Sequence, residues 1–394
     1  MRTDEMANLP GGAALRAADD TVELTSGNVW GTWRTATRHL ARPHGACNVQ
    51  MRAQPDHARW TRKLQIDALI LWVNSNDPAW EEKYARYRAA EDCRGCFRRA
   101  TDATRFQDVG ELNRCLMSIA RNAPWFRRIF ILADDQTPDL HRLPAGIIEK
   151  IRIVSHRELF GSRSHVLPTF NSIVLDCMVW NLDEMSERFV YFNDDFFISR
   201  PVSQDDFFDG DRIIVRGHWR PIRRSMLSRL RRTLTGAAGR STGFGEGQRR
   251  AAEMLGFKDR YFKFDHAPRA FLKSRMKSVF DAHREDVERN MSFRFRHPDQ
   301  FVFFALYYHT EIANRRVTFG NAASTVSVKG SLAFTEELAR LRAALGDPGV
   351  KFLCLQSLDL FTESQVADVL QHLDRHLDAE APGAVARPLA AAGA

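Results

Sequence analysis

Two carboxylates stand in surroundings that make charge costly. In "RFVYFNDDFFISRP" (188–201), Asp194 and Asp195 sit side by side within a run of Phe, Val and Tyr. Burying ionised carboxylates there costs several kcal/mol unless a cation or a set of donors meets them. Oxygen ligands of this kind suit Mg2+ or Mn2+, usually one or two carboxylates completed by substrate phosphates. A turn cap explains the same residues, and the local pattern supports both readings. Asp176 is a lone acid in the apolar stretch "SIVLDCMVW" and needs a partner for the same reason. His266 opens "HAPR", and imidazole is a natural proton acceptor near neutral pH, although composition alone gives it little distinction among thirteen His. Arg296 offers a planar fork of donors that matches phosphate oxygens, whereas His297 beside it fits a solvated strand end as well as a site.

The elements that must position these residues are legible in the periodicity. "IDALILWVN" (66–74) reads as a buried strand closed by the turn "NSNDP", which carries Asn74, Asn76 and Asp77. Residues 108–124 place Leu112, Leu116, Ile119 and Ala120 at helical spacing, with Asp108 or Gly110 as the cap and Pro124 past the end. Strands are predicted at 127–135, 150–156 and 188–192, and a helix at 171–182. Strand and helix alternate as in βαβ units, so the fold class is α/β with a mostly parallel central sheet flanked by helices. Ligands of such sheets bind beyond the carboxyl ends of the strands, where "NSNDP", "ADDQTP" and "NDD" converge. The C-terminal part reads as helical over 266–290, 299–314 and 362–377. The last of these opens with a Thr362–Gln365 capping box and runs on with an apolar stripe from Val366 to Leu377.

Three regions organise the chain: a loosely ordered extension over 1–60, a catalytic domain over 61–360, and a terminal helix and frayed tail over 361–394. The formal net charge is +8, yet residues 212–250 hold eleven Arg against Glu246 as their one acid. Within this segment Met226, Leu227, Leu230 and Leu234 make one helical face among arginines. That pattern fits contact with an anionic membrane surface and fits equally a mobile lid over a phosphorylated substrate. Six cysteines do not make a disulfide framework, and the single "CRGC" of Cys93 and Cys96 reads as free thiols. No apolar run approaches a membrane span, and the amino terminus lacks a signal core. The expected location is the cytoplasm, peripheral at the inner face of the cell membrane.

Several long motifs occur in the order seen in the Stealth family. They are "IDALILWVNSNDP", "RFQDVGELNRCLMSIARNAPWFRRIFILADDQTP", "RIVSHRELF", "LPTFNS", "RFVYFNDDFFISRPVSQDDFF", "HAPRAF" and "FRFRHPDQF". The chain resembles that family over roughly 64–360. It departs at "KFLCLQSLD" (351–359), where Gln356 and Ser357 replace the usual Asn-Asp.

This resemblance implies a nucleotide-sugar-binding fold similar to that of GT-A glycosyltransferases. It implies transfer of hexose-1-phosphate, with N-acetylhexosamine-1-phosphate the expected unit, from a UDP-sugar-type donor to a glycan hydroxyl in capsule or exopolysaccharide synthesis. It gives catalytic roles to Asp176, Asp195, His266 and Arg296, with Asp195 the favoured acid and Asp194 beside it as metal and substrate contacts for Mg2+ or Mn2+. Because consecutive strand residues face opposite ways, only one of the pair is expected to meet the ion. Asn74, Asn76, Asp77, Arg105 and Asn171 become substrate contacts. Glu111 fits a substrate contact and a helix-terminus charge about evenly. The rival enzyme is a metal-dependent glycosyltransferase releasing nucleoside diphosphate. Nucleic-acid binding rests on the Arg cluster alone and is not expected.

Overall fold

The computed structural model describes residues 64–90, 106–141, 143–222 and 244–378 in full, together with the backbone of residue 379 and of three strands before them. Those three, β1 (Ala14–Ala18), β2 (Thr21–Gly27) and β3 (Trp33–His39), pair antiparallel in sequence order. The region reads from its sequence as a loosely ordered extension, and these strands are regular structure that its irregular composition does not announce. It forms a unit of its own through Arg62, and the second unit begins at Lys63.

The second unit is built on a five-stranded sheet. Its strands are β4 (Ile66–Leu71), β5 (Ile129–Ala133), β6 (Ile151–Ser155) and β7 (Arg188–Asn193), with β13 (Arg269–Leu272) at one edge. The spatial order is β13-β7-β4-β5-β6. β4, β5, β6 and β7 run parallel, and β13 returns antiparallel against β7 with Arg269 opposite Tyr191. All five residues of β5 are buried, which requires cover on both faces. The chain leaves β4 toward β5 and β6 on one side and later returns to its other side as β7. The gap beyond the carboxyl ends of β4 and β7 is therefore the topological switch point where α/β sheets bind ligands.

Smaller sheets complete the unit. β8 (Phe196–Ile198) follows β7 after a two-residue turn and pairs antiparallel with β16 (Phe352–Gln356), which itself runs parallel to β15 (Thr325–Lys329). β9 (Phe208–Asp209), β10 (Arg212–Val215) and β14 (Val317–Phe319) form another, and β11 (Gly217–Pro221) pairs with β12 (Arg260–Phe264). The C-terminal part thus carries strands that the helical reading leaves out. In particular, residues 269–272 of the stretch 266–290 are strand β13, and helices run over Lys273–Ala282 and Arg284–Met291.

Of the predicted helices, 108–124 is observed as Glu111–Asn122. Asp108 caps it by accepting from Gly110 N and Glu111 N at 2.7 and 2.9 Å, and Gly110 takes φ 96°, which disfavours a side chain. The helix predicted over 171–182 is shorter, Ser172–Asp176. The capping box at Thr362 and Gln365 forms, and Val369, Leu370, Leu373 and Leu377 are buried. Met226, Leu227, Leu230, Leu234, Cys93, Cys96 and Arg105 lie outside the described residues.

Candidate active site

A cleft of about 770 Å3 opens at the switch point. It gathers Asn171, Asp176, Asp194, Asp195, His266 and Arg296, residues that span more than a hundred positions of sequence.

Asp194 and Asp195 form the turn between β7 and β8, so strand alternation does not apply and both line the cleft. Asp194 Oδ1 accepts from Asp195 N at 3.1 Å. β16 holds the second acid from behind: Leu355 N donates to Asp195 O at 3.0 Å, and the Cys354 thiol donates to Asp195 Oδ2 at 3.5 Å. Asp195 Oδ1 is buried and has no partner among the described residues. Asp67, in the same sheet, shows what a structural buried acid looks like. It is fully enclosed and accepts from Arg127 Nε and Nη2 at 2.9 and 2.6 Å, Arg128 N at 3.1 Å and Ser186 N at 2.7 Å. Desolvation, offset in part by Cys354 and Arg269, raises Asp195 to about 6. Asp194 is pushed well above the carboxylate range by desolvation and by Asp195, Glu111 and Asp108. Glu111, also in the cleft wall, is raised to about 8 chiefly by desolvation. Desolvation is the largest cause for all three acids, and Arg269 is the one cation among the causes that offset it, so a bound cation would favour their ionised forms.

Among the described residues no group of three or more His, Cys, Asp or Glu is placed to hold a metal by itself. Asp194 and Asp195 fit the sparer Mg2+ type of site, in which one or two carboxylates leave the remaining positions to water and phosphate. The unpartnered Asp195 Oδ1 is the atom such an ion would take.

Across the cleft the charge reverses. Asp176 is buried at the end of its helix and accepts from Tyr191 OH at 3.1 Å; desolvation, offset by Arg269, Tyr191 and Arg296, holds it at about 7. Asn171 caps that helix through Ile173 N at 3.2 Å and donates to Phe293 O and Gln300 Oε1, both at 2.9 Å, which ties the helix to the Arg296 segment. Arg296 Nη2 donates to Ser172 Oγ at 2.7 Å, and its buried Nε has no partner among the described residues. His266 lies 5.1 Å from the Phe244 ring and is lowered to about 3 by burial and by Arg269, Lys263, Arg296 and Lys329. It is therefore neutral across the physiological range, and the charges that lower it are cations.

Arg269 belongs to this wall and escapes the sequence reading. It is buried on β13, 4.9 Å from the Phe264 ring and 5.3 Å from the Phe196 ring, and its Nε also lacks a partner among the described residues. The signal was an arginine inside the apolar "APRAFL". Gln356 and Ser357 line the cleft as well. Ser357 takes φ 56°, and Gly330 passes so close that an added Cβ would stand 1.9 Å from Ser357 O.

Asn74, Asn76 and Asp77 are placed differently. Asn74 Oδ1 accepts from Asn76 N at 2.9 Å to close a turn, and Gln136 clasps the Asn74 backbone. Asp77 Oδ1 caps the helix Pro78–Ala90, accepting from Ala79 N at 2.9 Å and Trp80 N at 3.3 Å. None of the three lines the cleft. His297 accepts from Asp299 N at 3.2 Å and stacks on Phe293, also away from it. Within the basic segment, Arg216 donates to Asp206 O at 2.6 Å and Arg249 bridges Glu246 and Glu253, so part of that charge is spent inside the fold.

Residues 105–215 match the Stealth protein conserved region 2. An exopolysaccharide phosphotransferase of Streptomyces coelicolor is 39% identical over 172 residues, 42% of this chain and 18% of that protein. The capsular polysaccharide phosphotransferase LcbA of Aeromonas hydrophila is 32% identical over 235 residues, 59% of this chain and 61% of that protein. The chain therefore spans less than two thirds of either relative. Among solved structures, the galactosyltransferase LgtC with donor and acceptor sugar analogues covers 77% of this chain and 95% of its own at 9% identity, with a TM-score of 0.38.

Proposed function

We propose that this chain, which carries the Stealth conserved region 2, transfers a hexose-1-phosphate from a nucleotide-sugar to a hydroxyl of a glycan acceptor. The reaction would serve capsule or exopolysaccharide synthesis, the activities named for its relatives. The observation that carries this reading is the division of one cleft into an acid pair with an unpartnered oxygen and a wall holding two arginines whose buried Nε atoms have no partner among the described residues. A sugar diphosphate with its divalent cation would satisfy both sides at once.

In this reading Arg269 and Arg296 bind the diphosphate and withdraw charge from the phosphorus that bears the sugar. Asp194 and Asp195 would hold Mg2+ or Mn2+, which when bound supplies neutralisation of the leaving phosphate. The acceptor oxygen attacks that phosphorus; the new O–P bond forms, the P–O–P bond breaks, and nucleoside monophosphate departs with the electron pair. The hydroxyl proton passes to Asp176, whose carboxyl at about 7 suits a general base and whose position Tyr191 fixes. His266 is neutral and orients a substrate hydroxyl or phosphate oxygen by hydrogen bonding, surrounded by the cations that bind the anion. The basic stretch 220–250 is offered as a contact to anionic lipid near the acceptor, with loss of vesicle flotation on its deletion as the check.

The test is to incubate the protein with a panel of nucleotide-sugars and Mg2+ and identify the nucleotide released. Nucleoside monophosphate is expected. Nucleoside diphosphate would overturn the reading in favour of a glycosyltransferase that breaks the sugar C1–O bond. Asp195→Asn should abolish release while the thermal transition is kept, and full activity in that variant would remove the acid pair from the chemistry.

A further inference from the structure

We infer that His156 and Asp134 form a nucleoside-binding subsite of the cleft, taking the ribose or base end of the donor. This rests on the nucleotide-sugar reading above and deepens it.

His156 follows β6 and Asp134 follows β5, at the carboxyl ends of neighbouring strands, and both line the cleft. The His156 side chain is only 7% exposed, yet neither ring nitrogen has a hydrogen-bond partner among the described residues. A buried imidazole with both nitrogens unsatisfied is uncommon and calls for a ligand. Asp134 Oδ1 stands 3.5 Å from Nδ1, near enough to orient the ring without forming a good hydrogen bond. Lys83 Nζ holds the other Asp134 oxygen at 2.8 Å, so the carboxylate is anchored and its charge is matched. Burial lowers the imidazole, which favours its neutral form. Neutral imidazole offers one donor and one acceptor, which matches a ribose hydroxyl or the amide edge of a base. It has no positive charge with which to prefer phosphate.

Position separates this subsite from the phosphate site. From β7, which delivers Asp194 and Asp195, to β6, which delivers His156, there are three strand steps, or about 14 Å at ordinary strand spacing. An extended nucleoside diphosphate spans that distance. A phosphate at the acid pair and arginines would then put its nucleoside over β5 and β6. Trp72 and Val73, which follow the intervening strand β4, line the cleft and supply apolar surface along the way. Of the sequence-based substrate contacts after β4, the Asn74 and Asp77 side chains are occupied in a turn and a helix cap instead.

The test measures Kd by calorimetry, with Mg2+, for UMP, CMP, GMP and AMP, and for pyrophosphate as a probe without a nucleoside. His156→Ala should weaken the best nucleotide about tenfold or more, the worth of one or two buried hydrogen bonds, and leave pyrophosphate unchanged. His156→Gln, which keeps a donor and an acceptor, should recover part of the loss, and matched thermal transitions verify that both variants fold. Unchanged nucleotide affinity in His156→Ala would overturn the subsite and leave the transferase reading standing. Equal weakening of nucleotide and pyrophosphate would also overturn it, since the residue would then act on phosphate or on the fold. Wild-type protein that binds pyrophosphate but none of the nucleotides would overturn both readings together.

Discussion

Replacing Glu111 by Gln should make the protein more stable at alkaline pH, because this acid is held protonated by its surroundings. Glu111 is 7% exposed in the cleft wall, accepts from Val109 N at 2.6 Å, and faces Asp108 and Asp195 without a cation among the influences that shift it. Its carboxyl sits at about 8 against an ordinary 4.5. The folded state therefore favours the protonated form: the contribution is fully present below pH 4.5 and is lost as pH rises through 8. That difference corresponds to a ceiling of about 5 kcal/mol above pH 8, and relaxation of the site and entry of water bring the measurable part to about 1–2 kcal/mol. Glu111→Gln keeps the shape and an acceptor oxygen and never ionises. Its melting temperature should exceed that of the wild type by roughly 1.5–3 °C at pH 8, for a unit of this size, and differ little at pH 5. Saturating Mg2+ should shrink the gap, since a cation on Asp194 and Asp195 compensates the same cluster. Thermal unfolding at both pH values, with and without Mg2+, is the assay. A variant less stable than the wild type at pH 8 would refute the argument, because it would mean that ionised Glu111 is paired.

Two further outcomes follow from the opposite wall. With Asp176 at about 7 as the base, kcat/KM should rise with pH through that value, and Asp176→Asn should lose 10²–10⁴-fold in rate together with that limb; a limb that persists in the variant would reassign the base. Arg296→Lys keeps the charge but loses the fork that serves Ser172 and, in the proposed reading, the substrate, so kcat/KM should fall about 10–100-fold with little change in melting temperature, and wild-type kinetics would remove it from phosphate binding.

The sequence by itself determined the framework and the acids. A run such as "IFILA" buried on every residue reads as a strand covered on both faces, and alternation with helical spacing then dictates a parallel sheet. "NDD" after the strand "RFVYF" announced carboxylates at its end, and ordered motifs pointed to His266 and Arg296. Short elements were harder. "RAFL" has too few residues to display a period, so its identity as the edge strand β13 follows only from pairing with β7, a distant stretch of the sequence.

Tertiary structure decided which polar groups were already satisfied. Asn74 and Asp77 look as chemical as Asp195 in one dimension, yet a turn and a helix amino terminus consume their oxygens. Asp67 is more deeply buried than Asp195 and is silent because Arg127 and two backbone amides saturate it. Asp195 Oδ1, Arg269 Nε, Arg296 Nε and the His156 ring keep unspent hydrogen-bonding capacity at one cleft. Residue type fixes what a side chain is able to bind. Whether it is free to bind a substrate depends on partners brought from distant segments, and no local pattern records them.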